Sequence, residues 1–216
     1  MTLAEKLTAV ADNQQTVYDA GKNAQTVEWW KYYQSEYRGQ TYQQPRTNYW
    51  YAFAGPAWDD GNYAPVYPII PTVNAQNIYS YSNITDTKVV IDLSGDTITN
   101  CYNMFSYAGK LKTVRLLKVS EKVPMSNHFT ECSALENLNM QGTIGKNAYF
   151  HWCKNLTVAS MKSVIGCLKN FKGTDGENTC TLKFHTTCWD RLEADGSAPN
   201  GGTWKSYVQS LGWVVG

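Results

Sequence analysis

Each of the three histidines lies close to a cysteine, and these pairs are the residues best suited to metal or thiol chemistry. The pairs are His128 with Cys132, His151 with Cys153, and His185 with Cys188. Zinc sites usually show Cys-x-x-Cys or His-x-x-x-His spacing, and the sequence contains neither. A cysteine nucleophile also needs a histidine that a third group orients, and no such trio stands out. The sequence therefore predicts no metal, no cofactor and no thiol catalysis.

Carboxylate pairs are the other candidates for catalysis. A glycoside hydrolase would pair Asp59 or Asp60 with Asp92 or Glu131, but the acids are sparse and no spacing singles out a pair. The adjacent glycines 201 and 202 do not follow a hydrophobic strand, so they are not a phosphate-binding loop. We therefore expect a protein that is not an enzyme.

The charge balance limits the choice of partner. Nineteen Lys and Arg against eighteen Asp and Glu give a net charge of +1, which predicts no nucleic-acid partner. The first residues carry charges where an export signal needs an apolar run, and no segment is apolar enough to span a membrane. We expect no membrane insertion, and we expect the six cysteines to remain reduced.

Residues 1–36 are predicted to form a helix, which Thr2 and Glu5 begin as a capping box. Apolar positions recur at alternating steps of four and three residues, and a polar Gln interrupts them as register-fixing residues do. The predicted oligomerisation residues are Leu3, Leu7, Val10, Gln14, Val17 and Ala24. The segment is interpreted either as a coiled-coil stalk or docking element, trimeric by analogy with fibres, or as an amphipathic helix packed on its own chain.

Residues 37–75 are rich in aromatic residues and proline and are predicted to form a collar, in which prolines 65, 68 and 71 exclude a long helix. Rigid, amphipathic aromatic side chains are typical of recognition loops. The candidate binding residues are Tyr49, Trp50, Tyr51 and Trp58. The competing interpretation is that these side chains pack in a core.

Residues 76–170 repeat with a period of 21 to 26 residues, measured between Tyr79, Phe105, Phe129 and Phe150. Leucines follow the three Phe positions after six residues, and Leu116, Met140 and Met161 follow them after eleven. We expect a right-handed stack of turns, since one turn cannot bury its apolar face alone. Its predicted core is Phe105, Phe129, Phe150, Leu111, Leu135 and Leu156.

Residues 171–216 are expected to cap this stack. The predicted elements towards the end of the chain are a helix over 158–168, a strand over 179–184, a helix over 204–211 and a strand over 213–215. The fold class is therefore α+β: an N-terminal helix, a short solenoid and a C-terminal cap.

The segments Phe129–Leu138 and Phe150–Leu156 carry the motif Phe-x-x-Cys-x-x-Leu. With it, the chain resembles BspA-like leucine-rich-repeat proteins, and as a whole it is similar to small repeat proteins encoded by phages and prophages of gut bacteria. The Phe105 repeat departs from the motif, with Ala108 in place of the cysteine. The resemblance implies a leucine-rich-repeat solenoid in a virion component.

The expected function is that of a phage structural protein, a fibre or spike of the tail or head that attaches to a host surface. Its expected partners are copies of itself, other virion proteins, and a host surface glycan or protein. It would be made in the bacterial cytoplasm and end in the virion. The alternative is a bacterial cell-surface adhesin or a protein-interaction module with leucine-rich repeats.

Overall fold

The computed structural model of the chain describes residues 69–71, 74–98 and 100–216. The predicted N-terminal helix, most of the collar and all of the predicted oligomerisation and binding residues lie outside them. The strands are β1 Val90–Leu93, β2 Thr113–Val119, β3 Asn137–Gly142, β4 Ala148–Phe150, β5 Thr181–Phe184 and β6 Val214–Val215. The helices are α1 Val158–Gly166, α2 Thr186–Ala194 and α3 Trp204–Ser210.

The strands form two small parallel sheets, ordered β1-β2-β3 and β4-β5-β6. Each parallel pair joins one turn of the chain to the next. Isolated parallel bridges continue the pairing outside the strands, for example between Asn74 and Asn100 and between Met125 and Ala148. Neighbouring turns are therefore held together by backbone hydrogen bonds on more than one side, although the strands themselves are short.

One aromatic ring from each turn lies in the interior, and each ring contacts the ring of the next turn. The set, called the inner row below, is Tyr79, Phe105, Phe129, Phe150 and Phe184. Successive centroids are 5.1 to 5.6 Å apart, and the first four side chains have no exposed surface. The three predicted leucines are also fully buried in the same cluster, which confirms the six-residue core expected from the repeat.

The inner row extends beyond the segment in which the repeat is visible in the sequence. Phe184 packs against Phe150 with its ring tilted by 37°, and β5 pairs in parallel with β4, so a further turn continues past residue 170. That turn leads into helix α2, which the sequence analysis did not predict. The C-terminal segment therefore adds to the stacked core as well as covering its end.

The expected alignment at the eleventh position after each Phe was wrong. Leu117, fully buried, pairs with Met140 in the sheet, whereas Leu116 is only half-buried. A bulge causes the shift, because two residues of β2 face a single residue of β3 between the pairs at Val114 and Leu117. The third aligned residue, Met161, lies in helix α1 rather than in a strand.

Helix α1 closes the free edge of β3 with serine side chains. The backbone N–H of Leu138 donates to the Ser160 hydroxyl at 2.8 Å, and that of Met140 donates to the Ser163 hydroxyl at 2.8 Å. Ser160 in turn donates to the carbonyl of Glu136. An exposed strand edge can pair with strands of other chains. Here the serine hydroxyls accept the hydrogen bonds that a further strand would otherwise accept.

The last residues form the predicted elements. Helix α3 and strand β6 match the expected helix over 204–211 and strand over 213–215 closely, and α1 and β5 match the two before them. The Glu193 carboxylate accepts hydrogen bonds from the backbone N–H groups of Trp204 and Lys205, which fixes α2 against the start of α3. Trp213 is fully buried, and its indole N–H donates to the carbonyl of Lys169.

Candidate recognition surface

The cysteines of the repeat are interior packing groups. The thiol of Cys132 donates to the carbonyl of Phe105 at 3.0 Å, and the thiol of Cys188 donates to the carbonyl of Cys153 at 3.2 Å. Burial raises the pKa of Cys132 to about 12 and raises the pKa of Cys153 well above its ordinary value. A thiol held neutral in this way is a poor nucleophile. All six cysteines lie as free, buried thiols.

The histidines have surroundings that do not pair them with the cysteines near them in sequence. His185 caps helix α2, where its ring accepts from the N–H of Thr187, and His151 lies on the surface beside Trp152. Within the described residues no histidine is hydrogen-bonded to a cysteine, and no three His, Cys, Asp or Glu side chains are grouped as metal ligands would be.

His128 is the most unusual of the three histidines because it is fully buried. Burial lowers its pKa to about 4, and the backbone of Pro124 offsets only part of that effect. Neither ring nitrogen makes a well-formed hydrogen bond within the described part of the chain. The same position in the two preceding turns holds Ile78 and Met104, so His128 occupies an apolar slot as a neutral ring.

The two described carboxylates considered for catalysis have separate positions. Asp92 is 4% exposed in β1, accepts from the backbone and hydroxyl of Ser94, and lies 3.8 Å from the ammonium of Lys118. Glu131 is half-buried in the turn after Phe129. Asp59 and Asp60 lie outside the described residues. Asp92 is thus part of the fold, and its contacts give it a structural role.

A second pair of stacked rings lies on the surface, two residues after the inner row. Tyr81 and Tyr107, called the outer pair below, have ring centroids 4.7 Å apart and planes within 4° of parallel. The side chains are 58% and 49% exposed. Their backbones are tied to the next turn, since the N–H of Tyr81 donates to Ser106 and that of Tyr107 donates to Thr130. The fold therefore holds both rings at fixed positions in water.

Both tyrosines have left-handed backbones, with φ of 59° and 63°. A bulky residue in this region costs roughly 1 to 2 kcal/mol, and Gly or Asn is the usual occupant. The equivalent residue of the third turn is Glu131, also left-handed at φ 57°, so the turn accepts a polar side chain at this position. In the fourth turn the equivalent residue is Trp152, 42% exposed and without the left-handed backbone. Neither backbone conformation nor burial explains an aromatic residue at 81 or 107.

A polar cleft lies near the start of helix α1. It has a volume of about 460 Å³ and is lined by Glu136, Asn155, Thr157, Val158 and Arg191. The guanidinium of Arg191 donates to the backbone carbonyls of Leu156 and Lys154, which positions it from helix α2. The cleft brings a carboxylate and a guanidinium to one opening, and it is the second candidate for ligand binding.

The predicted binding residues lie in the collar, and neither the outer pair nor Trp152 is among them. The signal was present, because an aromatic residue recurs two positions after three of the five rings of the inner row. The recurrence was hidden because aromatic residues are dense over 29–81, so Tyr81 looked like one more of that group.

Comparison with protein families, with curated proteins and with solved structures gave no match to this chain. None of the helices α1 to α3 in the described part of the chain has the length and apolarity needed to cross a membrane.

Proposed function

We propose that the chain is a non-enzymatic structural protein of a phage virion, fibre-like or spike-like, that attaches to a host surface ligand through its stacked turns. The observation that carries the proposal is the outer pair. Two aromatic side chains stand exposed in a costly backbone conformation where the next turn has a glutamate. Local strain together with exposed aromatic surface is typical of residues retained for binding.

The non-enzymatic role is supported by the surroundings of the side chains that could act in catalysis. The thiols of Cys132 and Cys188 donate to backbone carbonyls in the interior, and His128 is buried as a neutral ring. Asp92 is satisfied by Ser94 and Lys118. Each of these groups has a structural task that leaves it unsuited to proton transfer or nucleophilic attack.

The leucine-rich-repeat solenoid is part of the proposal. It is supported by the parallel pairing between successive turns and by the continuous inner row. In a solenoid the same surface position recurs in every turn. The side chains at equivalent positions therefore form a row with a spacing of about 5 Å. Such a row is suited to extended ligands.

We further propose that residues 1–36 join copies of the chain, most simply as a trimer, and dock them to other virion proteins. Several copies on one particle multiply weak contacts, so each site needs only a modest affinity. The alternative is a bacterial surface adhesin that uses the same recognition surface. The two differ in where the protein is found.

The test has two arms. Particles purified from a lysate of the producing strain are digested and analysed by mass spectrometry, and the full chain coupled to fluorescent beads is incubated with a panel of bacterial strains. We expect peptides of this chain in the particles, and bead attachment to some strains only. Peptides in the cell envelope and not in particles would favour the adhesin, and beads that attach to no strain would contradict an attachment role.

A further inference from the structure

We propose that the outer pair and Glu131 form a binding site for a neutral glycan chain. This inference rests on the proposed attachment function and names the class of ligand. Tyr81, Tyr107 and Glu131 occupy the same position in three consecutive turns, and all three have left-handed backbones with φ between 57° and 63°. Equal backbone geometry sends the three side chains out of the stack in the same direction.

The geometry leaves one ring face open. Tyr107 stacks on Tyr81 through one face, because the two planes are parallel at 4.7 Å. Its other face looks along the stack towards the turn of Glu131, and no third ring within the described residues stacks there. The side chain of Tyr107 is 49% exposed, and a glutamate is shorter and narrower than a tyrosine, so Glu131 covers less of this ring face than a third tyrosine would. The part of the Tyr107 ring that faces Glu131 is called the notch below.

A sugar ring has the chemistry that this notch selects. The apolar face of C–H groups on a pyranose packs against an aromatic ring, while its hydroxyls need hydrogen-bond partners. The Glu131 carboxylate accepts from hydroxyls, and the tyrosine hydroxyls both donate and accept. One stacked ring together with directional polar partners fixes a sugar in a single orientation.

Charge argues for a neutral ligand. The net charge of +1 provides no long-range attraction for a polyanion. Of the three side chains at the site only Glu131 is charged, so the site itself repels an anionic ligand. Short-range stacking and hydrogen bonding to an uncharged chain are left as the source of affinity.

The fixed spacing of the turns argues for a chain rather than a single sugar. The backbones of the outer pair are tied to the next turn by hydrogen bonds of 3.0 and 2.8 Å, and the two rings stack on each other at 4.7 Å, so the row is preorganised. A preorganised row loses little side-chain entropy on binding. A glycan that lies along the row contacts Glu131, Tyr107 and Tyr81 in order, and each added sugar increases the contact.

The test uses the full chain and neutral oligosaccharides of glucose, mannose, galactose and N-acetylglucosamine, with affinities measured by calorimetry. We expect at least one series to bind and its affinity to rise with chain length. The double variant Tyr81→Asn/Tyr107→Asn keeps the turns, because Asn accepts the left-handed region, and should weaken binding about tenfold or more. Glu131→Gln should weaken it less.

The matched control is Val214→Thr, which alters an exposed apolar residue in β6 at the far end of the stack and should leave the affinity unchanged. Tyr107→Phe should retain most of the affinity, because the stacking face is kept. Failure of every neutral oligosaccharide, equal binding by the double variant, or preference for oligolysine would overturn the proposal. If beads coated with the chain still attach to cells in any of these cases, the attachment function stands and only the neutral-glycan site fails.

Discussion

The inner row and the outer pair both bring rings of successive turns into contact, two residues apart in the chain, yet they have opposite surroundings. Phe105 in the inner row has no exposed surface, whereas Tyr107 of the same turn is 49% exposed. The spacing of the turns imposes similar ring distances on both, 5.1 to 5.6 Å inside and 4.7 Å outside. Burial, and not stacking as such, therefore separates the part of each turn that stabilises the fold from the part available for binding.

The energetic cost of each set of rings supports the same division between rings that stabilise the fold and rings that are exposed. Ring contacts of the outer pair recover only a part of what an exposed aromatic and a left-handed backbone cost, since a stacked pair is worth about 0.5 to 1.5 kcal/mol. The inner row gains from removing whole rings from water. The account thus predicts large losses of stability from changes inside and small ones outside.

The largest effect is expected from Phe129→Ala. Phe129 stacks between Phe105 and Phe150, so truncation leaves a cavity between two turns. We expect the free energy of unfolding to fall by about 3 to 5 kcal/mol. Denaturant unfolding of the full chain measures it, and a loss below about 1 kcal/mol would mean that the inner row does not hold the turns together.

A pH effect of similar size is expected beside the inner row, at His128. Above pH 6.5 the His128 ring is neutral in both the folded and the unfolded chain. As the pH falls below 6.5 the ring takes up a proton in the unfolded chain, whereas in the folded chain it does so only near pH 4. Stability is therefore lost as pH falls through this window, and the shift from 6.5 to about 4 corresponds to about 3 kcal/mol.

The control is His128→Met, which copies the residue at the same position of the preceding turn, Met104. Unfolding measured at pH 7 and at pH 4.5 should show a much smaller difference in this variant than in the parent chain. An equal pH dependence in both would assign the effect to other groups.

A smaller effect is expected at the edge of the first sheet. Ser160→Ala removes the acceptor of the Leu138 N–H and leaves a buried donor without a partner. The cost should be about 1 to 3 kcal/mol, as for other unsatisfied buried groups. Ser163→Ala removes the same kind of bond at a more exposed position and should cost less. Equal losses from both variants would contradict the difference in burial.

The smallest effect on stability is expected from Tyr81→Asn/Tyr107→Asn. The substitution loses one exposed ring contact and relieves two left-handed tyrosines. The free energy of unfolding should change by less than about 1 kcal/mol, as is usual for surface sites. A loss comparable with that of Phe129→Ala would make the outer pair a structural feature and remove the argument for binding.

The sequence was sufficient to find the three middle rings of the inner row because burial repeats with the turn. Phe105, Phe129 and Phe150 recur with leucines at a constant offset, and only a stacked structure buries them all. The C-terminal helix and strand were also predictable, since Thr203 begins α3 as its cap and Gly212 follows it with φ of 81°.

Three other features of the structure could not be predicted from the sequence. The bulge in β2 depends on backbone pairing, and Leu116 and Leu117 are equally apolar as sequence. Helix α2 buries Cys188, Trp189 and Leu192 at helical spacing, but the helix has only nine residues and begins with two threonines, so the apolar face is too short to stand out in the sequence. The outer pair does leave a recurrence of aromatic residues, but the dense aromatic residues up to position 81 hide it, and no residue preference predicts tyrosine with a left-handed backbone.

The most direct test compares two neighbours in one turn, Phe105→Leu and Tyr107→Asn, by unfolding and by oligosaccharide binding of the full chain. The account predicts that Phe105→Leu lowers the free energy of unfolding by about 1 kcal/mol or more and leaves the affinity of the folded protein unchanged. It predicts that Tyr107→Asn changes stability by less than about 0.5 kcal/mol and weakens binding severalfold. If Tyr107→Asn unfolds the protein and Phe105→Leu does not, or if neither changes binding or stability, the division between an inner stabilising row and an outer binding row is contradicted.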